Sequence, residues 1–186
     1  AHLCGSQYLC ITAANACFDE PKQKLMEYCI ENLNDLVKVA EEENVILLLG
    51  TVMGMDSPCN ASTPIVLTVD EVAEIIEQIG SSYLAAYADT QVLSIRGESL
   101  TDWFDRLGEK VRLVRFTDGN YNGYRIWGKG VLPAEKLAEE IYRTGFNGLI
   151  SFQIPGERYC ENPKDAQKQN HFRALSAWRE VMDCQR

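Results

Sequence analysis

Apolar and polar positions along the chain form a two-part pattern that recurs five times. Each unit opens with a short, nearly continuous apolar run and continues with apolar residues spaced three and four apart. The first run is Tyr8 to Ala14, and its helix runs from about Glu20 to Glu43 with Leu25, Cys29, Leu33, Leu36, Val37 and Ala40 on one face. The second run, Val45 to Val52, is the most apolar, and a long loop carries it to Thr68. Thr68 with Glu71 has the spacing of a capping box, so a helix is expected over VDEVAEIIEQI, closed by Gly80. The third run is Tyr83 to Asp89, followed by a loop, TQVLSIRGE, and a short helix, SLTDWFDRLGE. The fourth is Val111 to Phe116, with a polar, aromatic loop to Gly130 and a helix over PAEKLAEEIYRTG. The fifth is Gly148 to Ile154, then a loop and a last helix with Phe172, Leu175, Trp178 and Val181 as its apolar face.

Runs that are apolar throughout belong to strands buried on both faces, and alternation with helices requires parallel pairing. The fold class is therefore α/β, as an open doubly wound sheet or as part of a (β/α) barrel. A closed barrel takes about eight units and about 250 residues. With five units in 186 residues, a barrel of this type would lack about three N-terminal βα units. Two sheet edges would then be bare, which invites pairing with another chain. The whole chain, 1–186, reads as one domain, with no linker or low-complexity segment to divide it.

Composition narrows the function classes. The net charge is −9, which argues against a nucleic-acid partner, since that affinity rests on clustered Lys and Arg. No apolar run is long enough to span a membrane. The seven cysteines are odd in number, irregularly spaced and free of any CxxC, and only two histidines are present. They read as reduced thiols in a cytoplasmic protein, with Cys10 and Cys29 acting as small apolar residues. The sequon at Asn60-Ala61-Ser62 then reads as a chance match.

Ligands of parallel α/β proteins gather beyond the carboxyl ends of the strands. Candidate chemistry therefore sits at Asp89, at Arg115 and in the loop beginning at Asp118. Arg115 offers a planar fork suited to a phosphate or carboxylate, or it forms a charge pair with Asp89. Asp118 shapes its turn or touches a sugar. Lys129, between two glycines, marks a phosphate approach or a plain turn. Tyr121, Tyr124 and Trp127 lie in one loop and could stack on a sugar or form an interface. His171 reads as a surface residue, and Trp103, Phe104 and Trp178 as core.

The order of a strand ending in Asp, LTDWFDRLGEKVR, a strand, TDGN, a loop with GKG, and LPAEKLAEEIYRTGFNGLISFQI resembles the sugar-phosphate isomerase/epimerase family. This is the xylose isomerase-like TIM-barrel group that includes fructoselysine and ketose 3-epimerases and, more distantly, endonuclease IV. The resemblance covers nearly the whole chain as the last five βα units and is most specific from Tyr83 to Ile154. It implies a small sugar or sugar phosphate as ligand. It also implies one divalent metal, such as manganese, held by a Glu, an Asp, a His and a second Glu from four strand ends, with the two Glu residues moving the proton.

Mapped by that resemblance, the first Glu falls on Gly50, the Asp on Asp89, the His on Arg115 (or Leu113 if the register slips by two) and the second Glu on Gln153. Only Asp89 keeps the family ligand. A lone carboxylate does not grip a transition metal, Gln153 cannot serve as a base, and Arg115 repels a cation. No resident cofactor is therefore expected. The expectation is a sugar isomerase/epimerase-like protein with a degenerate metal and proton-transfer site, binding carbohydrate or depending on a partner. Arg115, Asp118, Tyr124, Trp127 and Lys129 are its expected substrate contacts. Two rivals are an active enzyme using Asp89 and Asp118 around Arg115, and a non-catalytic protein that forms oligomers or pairs through its sheet edges.

Overall fold

A computed structural model of the chain describes residues 1–13, 15–17, 20–52 and 62–184. Five strands, β1 (Tyr8–Thr12), β3 (Ile46–Gly50), β5 (Leu84–Asp89), β6 (Val111–Arg115) and β9 (Leu149–Ser151), form one sheet in that order, and every neighbouring pair is parallel. Two small antiparallel pairs sit among the connections: β2 (Asn15–Cys17) with β4 (Ser62–Pro64), and β7 (Asp118–Asn120) with β8 (Gly123–Arg125). The helices are α1 (Lys22–Glu42), α2 (Val69–Ile79), α3 (Thr90–Arg96), α4 (Leu100–Leu107), α5 (Ala134–Arg143) and α6 (Pro163–Cys184). The five parallel strands with their helices make a half-barrel.

Alternation along each strand splits the apolar residues into two unequal sets. One face, with Leu47, Leu49, Ala86, Ala88, Val114 and Phe116, packs on the helices in a large core that takes in Ile75, Leu100, Trp103 and Ile141. The other carries a small cluster of Leu48, Ala85, Tyr87 and Leu113, against which Tyr8, Cys10 and Ile46 pack. This second, concave face lines the half-barrel. A cavity of about 820 Å³ lies toward the amino ends of β6 and β9, lined among others by Tyr8, Cys10, Glu109, Arg112 and Leu149.

Several expected elements hold with trimmed ends. The capping box is present: Thr68 Oγ1 accepts from the Glu71 amide, Glu71 Oε2 accepts from the Thr68 amide, and Gly80 closes α2 with a φ of 63°. The segment after Asp89, expected as a loop, is instead α3, because the Asp89 carboxylate caps its first amides and Gly97 ends it at a φ of 74°. The apolar face expected on α6 is rotated: Ala166, Asn170, Ala174, Ala177 and Val181 are buried, while Phe172 is 70% exposed. Small residues let this helix pack close; of its large apolar groups, Trp178 packs against the core beside Phe116 as expected, while Phe172 and Leu175 are exposed. Leu36 of α1 is likewise exposed, with Cys29, Leu33, Val37 and Ala40 facing the core. The fifth strand is three residues long and lies at the sheet edge, where Leu149, Ile150 and Phe152 are exposed. Cys4, Cys10, Cys29, Cys160 and Cys184 are free thiols. The sequon residues Asn60 and Ala61, with Cys59, lie outside the described residues. No described helix is long and apolar enough to cross a membrane.

Candidate functional site

The register of the sheet sets the level of each side chain at its carboxyl end. Thr12 pairs with Gly50, Tyr87 with Leu113, Asp89 with Arg115, and Arg115 with Ser151. Arg115, rather than Leu113, is therefore level with Asp89. Gln153 lies two residues past the Arg115–Ser151 pair, outside β9 and part-buried.

Asp89 is buried and saturated with donors. Its Oδ1 accepts from the amides of Gln91 (3.0 Å) and Val92 (3.3 Å) and from Thr117 Oγ1 (2.9 Å). Its Oδ2 accepts from the Tyr124 hydroxyl at 2.8 Å and lies 3.5 Å from Arg115 Nη1. Burial pushes the carboxyl above its ordinary range, against the pull of Tyr124, Arg115, Thr117 and Val92. Burial and the charge of Asp89 push the Tyr124 phenol far up, so it stays a donor.

The Arg115 guanidinium lies over the Tyr87 ring, 4.7 Å from its centroid. Burial works against its charge, but Tyr87 and Asp89 hold its pKa above the ordinary arginine value. Cys10 of β1 also lies against this guanidinium; burial nonetheless dominates there and keeps the group a thiol. The Tyr87 ring covers Gly50, and a Cβ at residue 50 would overlap it. Tyr87 is thus the residue that sequence reasoning missed. Its signal was its position in YLAAYAD, where Tyr87 and Asp89 share a face by alternation.

The loop residues divide differently from their sequence expectation. Asp118 is buried, and its carboxylate accepts from four backbone amides: Gly119 (2.7 Å), Gly128 (2.9 Å), Gly130 (2.9 Å) and Leu132 (3.0 Å). The glycines flanking Lys129 are explained by this cradle: a Cβ at Gly130 would collide with the Asp118 carboxylate, and Gly128 has a φ of 86°. The Gly128 and Gly130 amides are spent on Asp118, and Lys129 itself is exposed. Trp127 is buried against Phe116, ring centroids 4.4 Å apart, with its indole N–H on the Phe116 carbonyl at 3.2 Å. An exposed triad of aromatics is therefore not formed: Trp127 is core, Tyr124 is tied to Asp89, and Tyr121 alone of the three is fully exposed. His171 is exposed, edge-on to Phe152, and Trp103 is buried with its N–H on Glu98.

The structure thus brings together Asp89, Arg115, Tyr124, Tyr87 and Thr117, and keeps Asp118, Trp127 and Lys129 in a separate loop scaffold. Among the described residues, no three of His, Cys, Asp and Glu converge as metal ligands. Asp89 does not fit that role, because its oxygens already face an arginine and four hydrogen-bond donors.

A family profile described as xylose isomerase-like TIM barrel matches residues 1–178. The chain belongs to this family. Over 174 residues it is 26% identical to fructoselysine 3-epimerase of Escherichia coli O157:H7, covering 90% of this chain and 60% of that protein. It is 23% identical to D-psicose 3-epimerase of Enterocloster bolteae over 147 residues, 79% of this chain and 46% of that one. The chain therefore spans about 60% or less of the length of these curated relatives. Among solved structures, a D-tagatose 3-epimerase-like protein superposes with a TM-score of 0.80 at 16% identity, covering 100% of this chain and 67% of that one. The IOLI protein, whose crystal structure has a binding zinc atom, superposes with a TM-score of 0.79 at 14% identity, covering 97% and 66%. Asp89 and Arg115 stand at the carboxyl ends of β5 and β6 in this fold.

Proposed function

We propose that this sugar epimerase/isomerase-like chain recognises a small sugar or sugar phosphate without a metal, and that the two-carboxylate proton transfer is absent from it. The observation that carries this reading is the use of Asp89. The Asp89 carboxylate that ends β5 is consumed by Tyr124, Thr117, two amides and Arg115, and the mapped partner positions are Gly50, Arg115 and Gln153. An amide and a guanidinium cannot remove a proton from carbon at neutral pH. The rival constellation of Asp89 with Asp118 loses support, since Asp118 is enclosed by its own loop.

The chemistry left at the mouth is recognition. Arg115 and Gln153 offer donors, and the Tyr124 hydroxyl, whose proton goes to Asp89, offers an acceptor. We place the protein in the cytoplasm on its thiol content. Partner dependence fits the apolar side chains exposed on and beside β1 and β9, Leu9, Leu149 and Phe152. A thermal-shift panel of ketoses, aldoses and their phosphates in EDTA tests the recognition, because binding raises native stability with the logarithm of ligand over Kd. At least one sugar should stabilise the protein, and ketoses incubated with it in D2O should gain no deuterium at carbon. Deuterium uptake restored by manganese would sink the reading.

A further inference from the structure

The guanidinium of Arg115 has more donors than its one acidic partner uses. An arginine presents five N–H groups in a planar fork. Here Asp89 is the one carboxylate within ion-pair range among the described residues, and it is reached through Nη1 at the loose distance of 3.5 Å. The Asp89 charge is spread over four other donors, so it only partly cancels that of the arginine. The side chain is held still on both sides, by the Tyr87 face beneath and by Cys10 and Asp89 around it. It retains 22% exposure at the rim of the concave face. A rigid, part-exposed cation with spare parallel donors is the arrangement that takes an oxyanion bidentately. Ser151, paired with Arg115 across the sheet, Tyr124 and Gln153 add hydroxyl and amide groups suited to a polyol.

We infer that Arg115, seated on Tyr87 and tethered by Asp89, is a built-in cation that makes the barrel mouth a metal-independent receptor for an oxyanion borne by a small polyol, a sugar acid or a sugar phosphate. The inference rests on the metal-free reading above and specifies its ligand class. The Tyr87–Gly50 packing supports it, since the space that a longer side chain at residue 50 would use is filled by the ring on which the guanidinium lies.

Fluorimetric melting and calorimetric titration in EDTA with D-gluconate, D-glucose 6-phosphate, inorganic phosphate and D-fructose test this directly. The carboxylate and phosphate arms separate the two sources of the anion, and fructose reports recognition of the polyol alone. The expected result is binding of gluconate or glucose 6-phosphate at least about tenfold tighter than fructose. Arg115→Gln should lose that preference, and Arg115→Lys should recover part of it. Equal anion binding by wild type and Arg115→Gln, or fructose bound as tightly as the anions, overturns the proposal. Should Arg115→Gln fail to fold, arginine side-chain NMR of the wild type decides: the Arg115 Nε–H resonance must move on adding gluconate or glucose 6-phosphate, and an unmoved resonance at saturation refutes it. The same titrations with Mn2+ in place of EDTA keep the two readings apart. Sugar binding that requires Mn2+ defeats the metal-free reading, whereas metal-independent binding without anion preference defeats only this one.

Discussion

Asp89 and Asp118 are both buried aspartates near strand ends, yet their surroundings differ in kind. Asp118 is bound by four backbone amides from its own loop, so its charge organises the path from β7 to α5. Asp89 is bound mainly by side chains, Thr117, Tyr124 and Arg115, which come from separate elements and meet at the open end of the half-barrel. A carboxylate satisfied by backbone holds a fold together. One satisfied by an exchangeable set of side chains at a mouth positions a site.

The sharpest way to break that comparison is to remove the loop carboxylate. Asp118→Ala leaves four amide donors without their acceptor and should cost about 3–5 kcal/mol, read as a lowered denaturation midpoint with unchanged slope. A cost below about 1 kcal/mol would show that water replaces the carboxylate and that the loop does not depend on it. Next in size is Gly50→Ala, whose added methyl meets the Tyr87 ring and should cost about 2–3 kcal/mol. Most of that loss should vanish in a Tyr87→Ala background, and an additive double-mutant cycle would contradict the packing. The same contact sharpens the metal question. Gly50→Glu, Arg115→His and Gln153→Glu together should gain no Mn2+ affinity while Tyr87 is present, and adding Tyr87→Ala should create it, as read by calorimetry. Tyr124→Phe removes one bond to the Asp89 carboxylate and should cost about 1.5–2 kcal/mol. Smallest is Phe172→Ser, which alters an exposed side chain on α6 and should shift stability by less than about 0.5 kcal/mol. A larger loss would mean that this face is covered in solution.

The order and type of the strands were legible because both-face burial writes itself as unbroken apolar runs, as in VILLLGTV. The cap of α2 was legible because Thr68 and Glu71 act within one turn. What could not be read arises between elements. Asp89 serves at once as strand end, helix cap and site residue, and that overlap hid α3. The burial of α6 through Ala174 and Ala177 follows from how close the helix approaches its neighbours, which spacing alone does not encode. Gly50 and Arg115 were visible one at a time, but the contact of the Tyr87 ring with both depends on the register between β3, β5 and β6. The role of the GKG glycines was likewise hidden, because it is set by Asp118, ten and twelve residues earlier in the chain.

The central proposal is that the mouth of this half-barrel carries its positive charge on Arg115 and that its described residues do not hold a metal ion. Titrating the EDTA-treated protein with Mn2+ by calorimetry tests it most directly. The account predicts no saturable binding in the micromolar range, and uptake of one ion per chain that disappears in Asp89→Asn would contradict it.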